Sequence, residues 1–558
     1  MTHLLEISNL SIDINGARVV EALSLAIDKG ECLGIVGESG SGKSLTALAV
    51  LGLLPLAASV DAASAIRLDG TDITRLDDAA MRRFRGARVG IVFQDPMSCL
   101  NPFMKVGAQI VEAIRTHKPV SGADARRQAQ NLLREVGIRD PERRFGAFPH
   151  ELSGGQQQRV MIAMALSADP ALLIADEPTT ALDATVQHQI LTLLKRLRAQ
   201  RGMALMFISH DLGVVASIAE RVAVMRHGRL VESGPVHDIL AAPRHPYTRA
   251  LIAARRRMVG GRTKGAGQAA TTGGVVVEGL RIVYRAKHSL GRSFVAVDDV
   301  DLVIEPGQVM GLVGESGSGK SSIARALAGL ARPDKGRIAM LGQEFTRQSW
   351  QIPRHLRGKR QIVFQNPTGA LNPRLPISTQ LAEPLNAIHG PTGQERVDRM
   401  IQLLAEVGLD ESYLDRYPHE MSGGQKQRIC IARALLSDPD VLICDEVVSS
   451  LDVTTQLQVL DLLASLRAKR GFSMLFIGHD LDVVAAVSDH IAVMHEGRII
   501  ETGTAADIIE RPTNSYTRRL IDAMDAVRLP QDLSDDFHPG LLGHIETGVG
   551  ATSFFAAG

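Results

Sequence analysis

Cysteine is scarce in this chain of 558 residues: only Cys32, Cys99, Cys430 and Cys444 occur, and no two form a C-x-x-C pair. That argues against a disulfide framework and a thiolate metal site, and leaves buried free thiols as the reading. An excess of one charge is also missing. Lys and Arg number 62 against 61 Asp and Glu, a net charge of +1, so no global field exists to hold nucleic acid or anionic lipid. No apolar run reaches the roughly 18 residues a spanning helix needs, and the N-terminus lacks the charged, apolar and small-residue regions of a secretory signal. The chain is therefore expected to stay in the cytoplasm. What is present is ordinary, with 45% hydrophobic and 22% charged residues, the balance of a folded soluble protein. The length exceeds what one core supports, so two or more domains are expected.

The sequence is written twice. LGIVGESGSGKS from Leu33 to Ser44 returns as MGLVGESGSGKS from Met310 to Ser321, and PHELSGGQQQR from Pro149 to Arg159 returns as PHEMSGGQKQR from Pro418 to Arg428. LLIADE, ending at Glu177, pairs with VLICDE, ending at Glu446. The spacings agree: Ser153 to Asp176 and Ser422 to Asp445 both span 23 residues, and Glu177 to His210 and Glu446 to His479 both span 33. Repeats in register imply one fold used twice. Residues 260–274, GGRTKGAGQAATTGG, read as a flexible linker between a first domain, 1–259, and a second, 275–529, with a loosely ordered tail over 530–558. Short apolar runs alternating with helical stretches predict an α/β fold with a buried, largely parallel sheet, whose chemistry gathers at the C-terminal strand ends.

Gly37, Glu38, Ser39, Gly40, Ser41, Gly42, Lys43 and Ser44 follow an apolar strand and precede a helical run, and Gly314, Glu315, Ser316, Gly317, Ser318, Gly319, Lys320 and Ser321 repeat them. That is the context of a phosphate-binding P-loop: backbone N–H groups close on phosphate oxygens, the lysine reaches the β- and γ-phosphates, and the serine hydroxyl ligates Mg²⁺. ATP and Mg²⁺ are the expected ligands. Asp176 and Asp445 end apolar strands where they can hold the metal, and Glu177 and Glu446 follow as candidates to polarise the attacking water. Ser153, Gly154, Gly155 and Gln156, like Ser422, Gly423, Gly424 and Gln425, open helical runs and offer a second anion site at a helix N-terminus.

P-loop, SGGQ and strand-terminal Asp-Glu together resemble the ATP-binding-cassette superfamily over nearly all of both halves. The resemblance implies two tandem cassettes, each with a mostly parallel core, an antiparallel subdomain and a helical signature subdomain. It also implies head-to-tail pairing, in which Ser422 to Gly424 complete the site of Lys43 and Ser153 to Gly155 that of Lys320. Gln94 and Gln365 match the Q-loop, which touches Mg²⁺ and faces membrane subunits. His210 and His479 match the switch histidine; Ala181-Leu182-Asp183 and Ser450-Leu451-Asp452 match the D-loop. QDPMSCLNP at Gln94, QNPTGALNP at Gln365, HPYTRALI at His245 and NSYTRRLI at Asn514 resemble the dipeptide, oligopeptide and nickel permease ATPases in particular.

Departures from the family pattern are specific. No cysteine follows HPYTRALI within the first half, so no iron–sulfur cluster is expected. Ile14 to Val20 holds no aromatic residue to stack adenine, whereas Tyr284 and Phe294 are candidates in the second half, and Val447 stands where the first half has Pro178. The expected function is the ATP-hydrolysing, energy-coupling subunit of a peptide-type importer, peripheral on the cytoplasmic face of the inner membrane. Its implied partners are two transmembrane permease subunits and an extracytoplasmic solute-binding protein, with no nucleic acid. The rival readings, a soluble tandem cassette acting on ribosomes or DNA and a fused exporter ATPase, call for a charged helical linker or zinc-binding cysteines in the first case and lack the permease-like loops in the second.

Overall fold

The computed structural model describes residues 3–180, 182–260, 274–285, 293–350 and 353–529. The expected linker between its two end residues, the expected tail and Ala181 lie outside them. Two units result. The first takes in the chain to Leu182, then Val186–Arg256, and residues 525–529; the second takes in Asp183–Thr185 and Arg257–Met524. Residues 525–529 fall with the first unit because Val527 and Leu529 are buried in its core.

In the first unit a six-stranded sheet runs in the order Arg229–Pro235, Arg221–Arg226, Cys32–Val36, Ala204–Ser209, Leu172–Asp176, Val89–Val92. All neighbours are parallel except the first pair. Cys32–Val36, Leu172–Asp176 and Ala204–Ser209 are buried at every residue, and alternate side chains enter two different cores. Leu173, Ala175, Leu205 and Phe207 join one cluster, and Leu172, Ile174, Ala204 and Met206 the other. A sheet covered on both faces is why these strands read as unbroken apolar runs rather than alternating ones. A second, antiparallel sheet pairs Leu5–Ile14 with Ala17–Ile27, Ala58–Val60 and Ala65–Leu68. The signature helix Gly154–Ala165 packs with the helices Val106–His117 and Gly122–Glu135.

The second unit has the same plan. Its six-stranded sheet runs Arg360–Val363, Val441–Asp445, Ser473–Gly478, Val309–Val313, His490–His495, Arg498–Thr504, with only the last pair antiparallel. Its antiparallel sheet runs Ser293–Ile304, Val275–Arg285, Lys335–Met340, Gln343–Thr346. Strand order places the P-loop strand between the strand ending in the switch histidine and a C-terminal hairpin, and the Asp-Glu strand one place further out. The site residues of each half thus emerge at the carboxyl ends of neighbouring strands of one sheet.

Candidate nucleotide sites

Each P-loop is shaped by glycine where no other residue fits. Gly42 and Gly319, the residues that cap the following helices, have φ of 93° and 107°. A side chain at Gly319 would in addition meet the Ala296 carbonyl oxygen at 2.2 Å. Behind them Lys43 and Lys320 are 5% and 4% exposed. Lys43 Nζ donates to the carbonyls of Gly37 and Glu38 at 2.7 and 2.8 Å, and Lys320 Nζ to those of Gly314 and Glu315 at 2.6 and 2.8 Å. These buried ammonium groups are held by the loop's own carbonyls, positions that a phosphate oxygen can take. Burial pushes the Lys320 ammonium below its ordinary value.

Ser44 Oγ donates to Asp176 Oδ1 at 3.0 Å, and Ser321 Oγ to Asp445 Oδ1 at 3.1 Å. Burial pushes the Asp176 carboxyl up to about 6 despite the Ser44 bond, with Glu177 adding repulsion, and Asp445 is raised for the same reasons. Hydroxyl and carboxylate side by side offer oxygen ligands of the kind a hard cation such as Mg²⁺ takes. Among the described residues no three His, Cys, Asp or Glu side chains are placed to hold a metal ion, so such a cation needs phosphate oxygens and water as further ligands.

The glutamates are the hubs. Gln94 Nε2 donates to Glu177 Oε2 at 2.9 Å, Thr180 Oγ1 donates to the same oxygen at 2.9 Å, and His210 Nδ1 lies 3.2 Å from it. In the second unit Gln365 Nε2 donates to Glu446 Oε2 at 2.7 Å and His479 Nδ1 lies 3.5 Å away. Ser449 Oγ donates instead to the Glu446 carbonyl, so the second glutamate lacks the hydroxyl the first enjoys. The change from Pro178 to Val447 leaves the carboxylate beside the same glutamine and histidine. Burial pushes both glutamates up, but the histidine hydrogen bond and charge outweigh it and hold them below the ordinary range. Burial pushes His210 and His479 down, and the same pairs raise them above it.

The structure therefore brings together P-loop, Asp, Glu, Gln and His within each unit. The signature residues stand apart from that cluster's hydrogen bonds. Ser153 Oγ accepts from Gln156 N at 3.4 Å while Gln156 Oε1 accepts from Ser153 N at 3.3 Å, a capping box that Ser422 and Gln425 repeat at 3.3 and 3.0 Å. Tyr284 and Phe294 pair across neighbouring strands, with Tyr284 Oη donating to Ser322 Oγ at 3.3 Å beside the P-loop. The corresponding pair in the first unit is Ile14 with Ala17. Two residues went unassigned from sequence: Tyr247 Oη accepts from Glu38 N and Tyr516 Oη from Glu315 N, each at 3.1 Å. Their signal was the tyrosine shared by HPYTRALI and NSYTRRLI.

A buried parallel sheet with a P-loop and a strand-end Asp-Glu defines a nucleoside triphosphatase, here carried twice in one chain. The ABC transporter family model matches residues 20–180 and 297–449, and the model for the C-terminal region of oligopeptide and dipeptide transporters matches 231–273 and 500–539. The chain is 44% identical to the peptidoglycan transport ATP-binding protein YejF of Agrobacterium fabrum, over 93% of this chain and 96% of that one. It is 42% identical to the glutathione import ATP-binding protein GsiA of Pectobacterium atrosepticum, over 93% and 89% of the two chains. Identity to GsiA of Escherichia coli K12 is also 42%, over 96% and 93%. The chain belongs to the ABC transporter family, as an ATP-hydrolysing protein with two cassettes. Among the described residues no helix is long and apolar enough to cross a membrane.

Proposed function

We propose that this chain is the energy-coupling ATPase of an importer for peptides or related small solutes of the dipeptide, oligopeptide or glutathione kind. The observation that carries it is the convergence, in both units, of Gln, His and Glu at one strand end beside a buried P-loop lysine. The matches to peptide-transporter C-terminal regions in both halves support the solute class.

Lys43 and Lys320 exchange loop carbonyls for phosphate oxygens. Ser44, Asp176 and Gln94, and Ser321, Asp445 and Gln365, hold Mg²⁺, which when bound neutralises phosphate charge. Glu177 and Glu446 orient and polarise the attacking water; a glutamate held ionised by a neighbouring histidine is suited to accept its proton. His210 and His479 then face the γ-phosphate. Ser153, Gly154 and Gly155 serve the site of Lys320, and Ser422, Gly423 and Gly424 that of Lys43, in the head-to-tail arrangement. Two permease subunits and an extracytoplasmic binding protein complete the machine, with this chain peripheral on the cytoplasmic face. No iron–sulfur cluster enters this reading.

The test is ATPase turnover in proteoliposomes holding the permease subunits, with a solute-loaded binding protein added. Turnover should rise several-fold over the isolated chain. Turnover that ignores the membrane subunits but responds to ribosomes or DNA rejects the importer.

A further inference from the structure

Arg360 opens the edge strand Arg360–Val363 of the second unit's parallel sheet and is only 5% exposed. Its guanidinium has no carboxylate partner among the described residues. Nη1 reaches the Met340 sulfur at 3.7 Å, and the guanidinium carbon sits 5.4 Å from the Phe345 ring centroid. Burial, with a second cation, Arg357, nearby, pushes the group down to about 10. A thioether and a ring face return only part of the hydration that burial removes, and buried charges are normally paired.

A cavity of about 700 Å³ lies against this side chain, walled by Leu330, Trp350, Arg357, Arg360 and Ile362 and by the end of the P-loop helix at Ala328 and Gly329. Trp350 meets Phe345 edge to face, with centroids 6.3 Å apart at 78°. Its lining combines two cations with aromatic and apolar side chains, the composition of a site that orients a small ligand by one polar group.

At the corresponding place the first unit carries different residues and contacts. Sheet register sets Val89 opposite Leu172 and Arg360 opposite Val441, each partner being the first residue of its unit's Asp-Glu strand, so a buried valine stands where Arg360 does. Leu51 and Gly52 follow Lys43 at the distance Ala328 and Gly329 follow Lys320. Their carbonyls accept from Arg85 Nε and Nη2 at 2.8 and 2.9 Å, and Arg85 Nη1 pairs with Asp78 at 2.6 Å. The fold thus works with a valine and a neutralised arginine. The second unit has departed from that solution.

We propose that this cavity binds a small organic acid, its carboxylate between Arg360 and Arg357 and its aromatic or branched apolar part against Trp350, Leu330 and Ile362. Trp350 is the only tryptophan of the chain, so its fluorescence reports on the cavity directly. The full chain is titrated with phenylacetate and with phenylacetamide, the neutral isostere. Phenylacetate should change Trp350 emission saturably, with an affinity in the millimolar range or better expected of so small a ligand. Phenylacetamide should bind at least tenfold more weakly. Arg360→Val, which installs the first unit's residue, should lower phenylacetate affinity at least tenfold, and Arg357→Gln should lower it several-fold, with basal ATPase of both variants unchanged. Should Arg360→Val fail to fold, Arg357→Gln decides. Equal binding of acid and amide, undiminished affinity in the folded variants, or no saturation by about 10 mM, a weak limit even for fragments, overturns the site.

Discussion

Glu177 and Glu446 sit at φ 46° and 51°, left-handed backbone that a residue with a side chain adopts at a cost of about 1–3 kcal/mol. Their N–H groups donate to the carbonyls of Ile208 and Ile477 at 2.9 and 3.0 Å, which holds the turn in place and aims each carboxylate at its glutamine and histidine. Replacing both by glutamine keeps shape and hydrogen bonding but removes the base. Hydrolysis should fall about a hundredfold to ten-thousandfold, while equilibrium binding of ATP measured by a fluorescent analogue persists. Retained turnover would take the glutamates out of the chemistry. Tyr247 and Tyr516 act at the same scale. Tyr247→Phe removes the hydrogen bond from the Glu38 N–H to Tyr247 Oη, a loss of about 1 kcal/mol, so KM for ATP should rise roughly fivefold with kcat less affected. An unchanged KM in steady-state assays would make the contact incidental. The glutamates were legible because their chemistry lies in residue type and spacing along a few residues. The tyrosines were not, because Tyr247 lies 209 residues from the N–H it serves.

At the scale of elements, the signature serines have a structural duty that their S-x-x-Q spacing already carries: each is the N-cap of a helix and half of a capping box. Ser153→Ala should cost about 1 kcal/mol, a fall of roughly 2–4 °C in the melting temperature of the first unit. Ser153→Asp should recover that stability, so calorimetry on the two variants separates the cap from any contact with phosphate. The peptide-transporter segments show a second device. Glu232 accepts from the N–H groups of Arg244 and His245 at 2.7 and 3.0 Å, and Glu501 from those of Thr513 and Asn514 at 2.6 and 3.2 Å, fixing the start of the helices Pro246–Gly260 and Ser515–Asp525. Burial pushes these carboxyls up, but the hydrogen bonds hold them below the ordinary value of 4.5. A depressed carboxylate stabilises the fold above its unfolded value and loses that contribution as pH falls through the lower folded one. The melting temperature of Glu232→Gln should therefore lie below that of the parent at pH 7, with the gap closing below about pH 4.5. A gap that stays constant with pH would remove the charge from the explanation.

For the whole molecule, the head-to-tail proposal makes each nucleotide site the joint property of two halves. Lys43→Ala and Ser422→Arg should then act on one site, and the double variant should lose little more ATPase activity than the worse single, as groups that work as a unit do. Lys43→Ala with Ser153→Arg should damage both sites and leave almost nothing. ATPase rates across this set in the assembled complex decide it: coupling of Lys43 to Ser153 with independence from Ser422 rejects the arrangement. The two sites are also not copies. Thr180 against Ser449, and Ile14 with Ala17 against Tyr284 with Phe294, give the first glutamate an extra donor and the second P-loop an aromatic neighbour.

By itself the sequence determined the duplication, the α/β class, the P-loops and the acids, glutamines and histidines gathered at the strand ends. Each of these rests on short-range facts: apolar runs set by burial on both sheet faces, glycines set by backbone angle, and a spacing that one fold imposes twice. Only the tertiary structure decided which of these residues touch, that Glu177 and Glu446 are the hubs, that tyrosines far along the chain support the P-loops, and that residues 525–529 belong with the first unit's core. It alone also set Arg360 and Arg357 against a cavity beside Trp350, where the first unit has Val89 and a neutralised Arg85. Such contacts depend on sheet order and helix packing, which close distances of tens to hundreds of residues that no local pattern encodes.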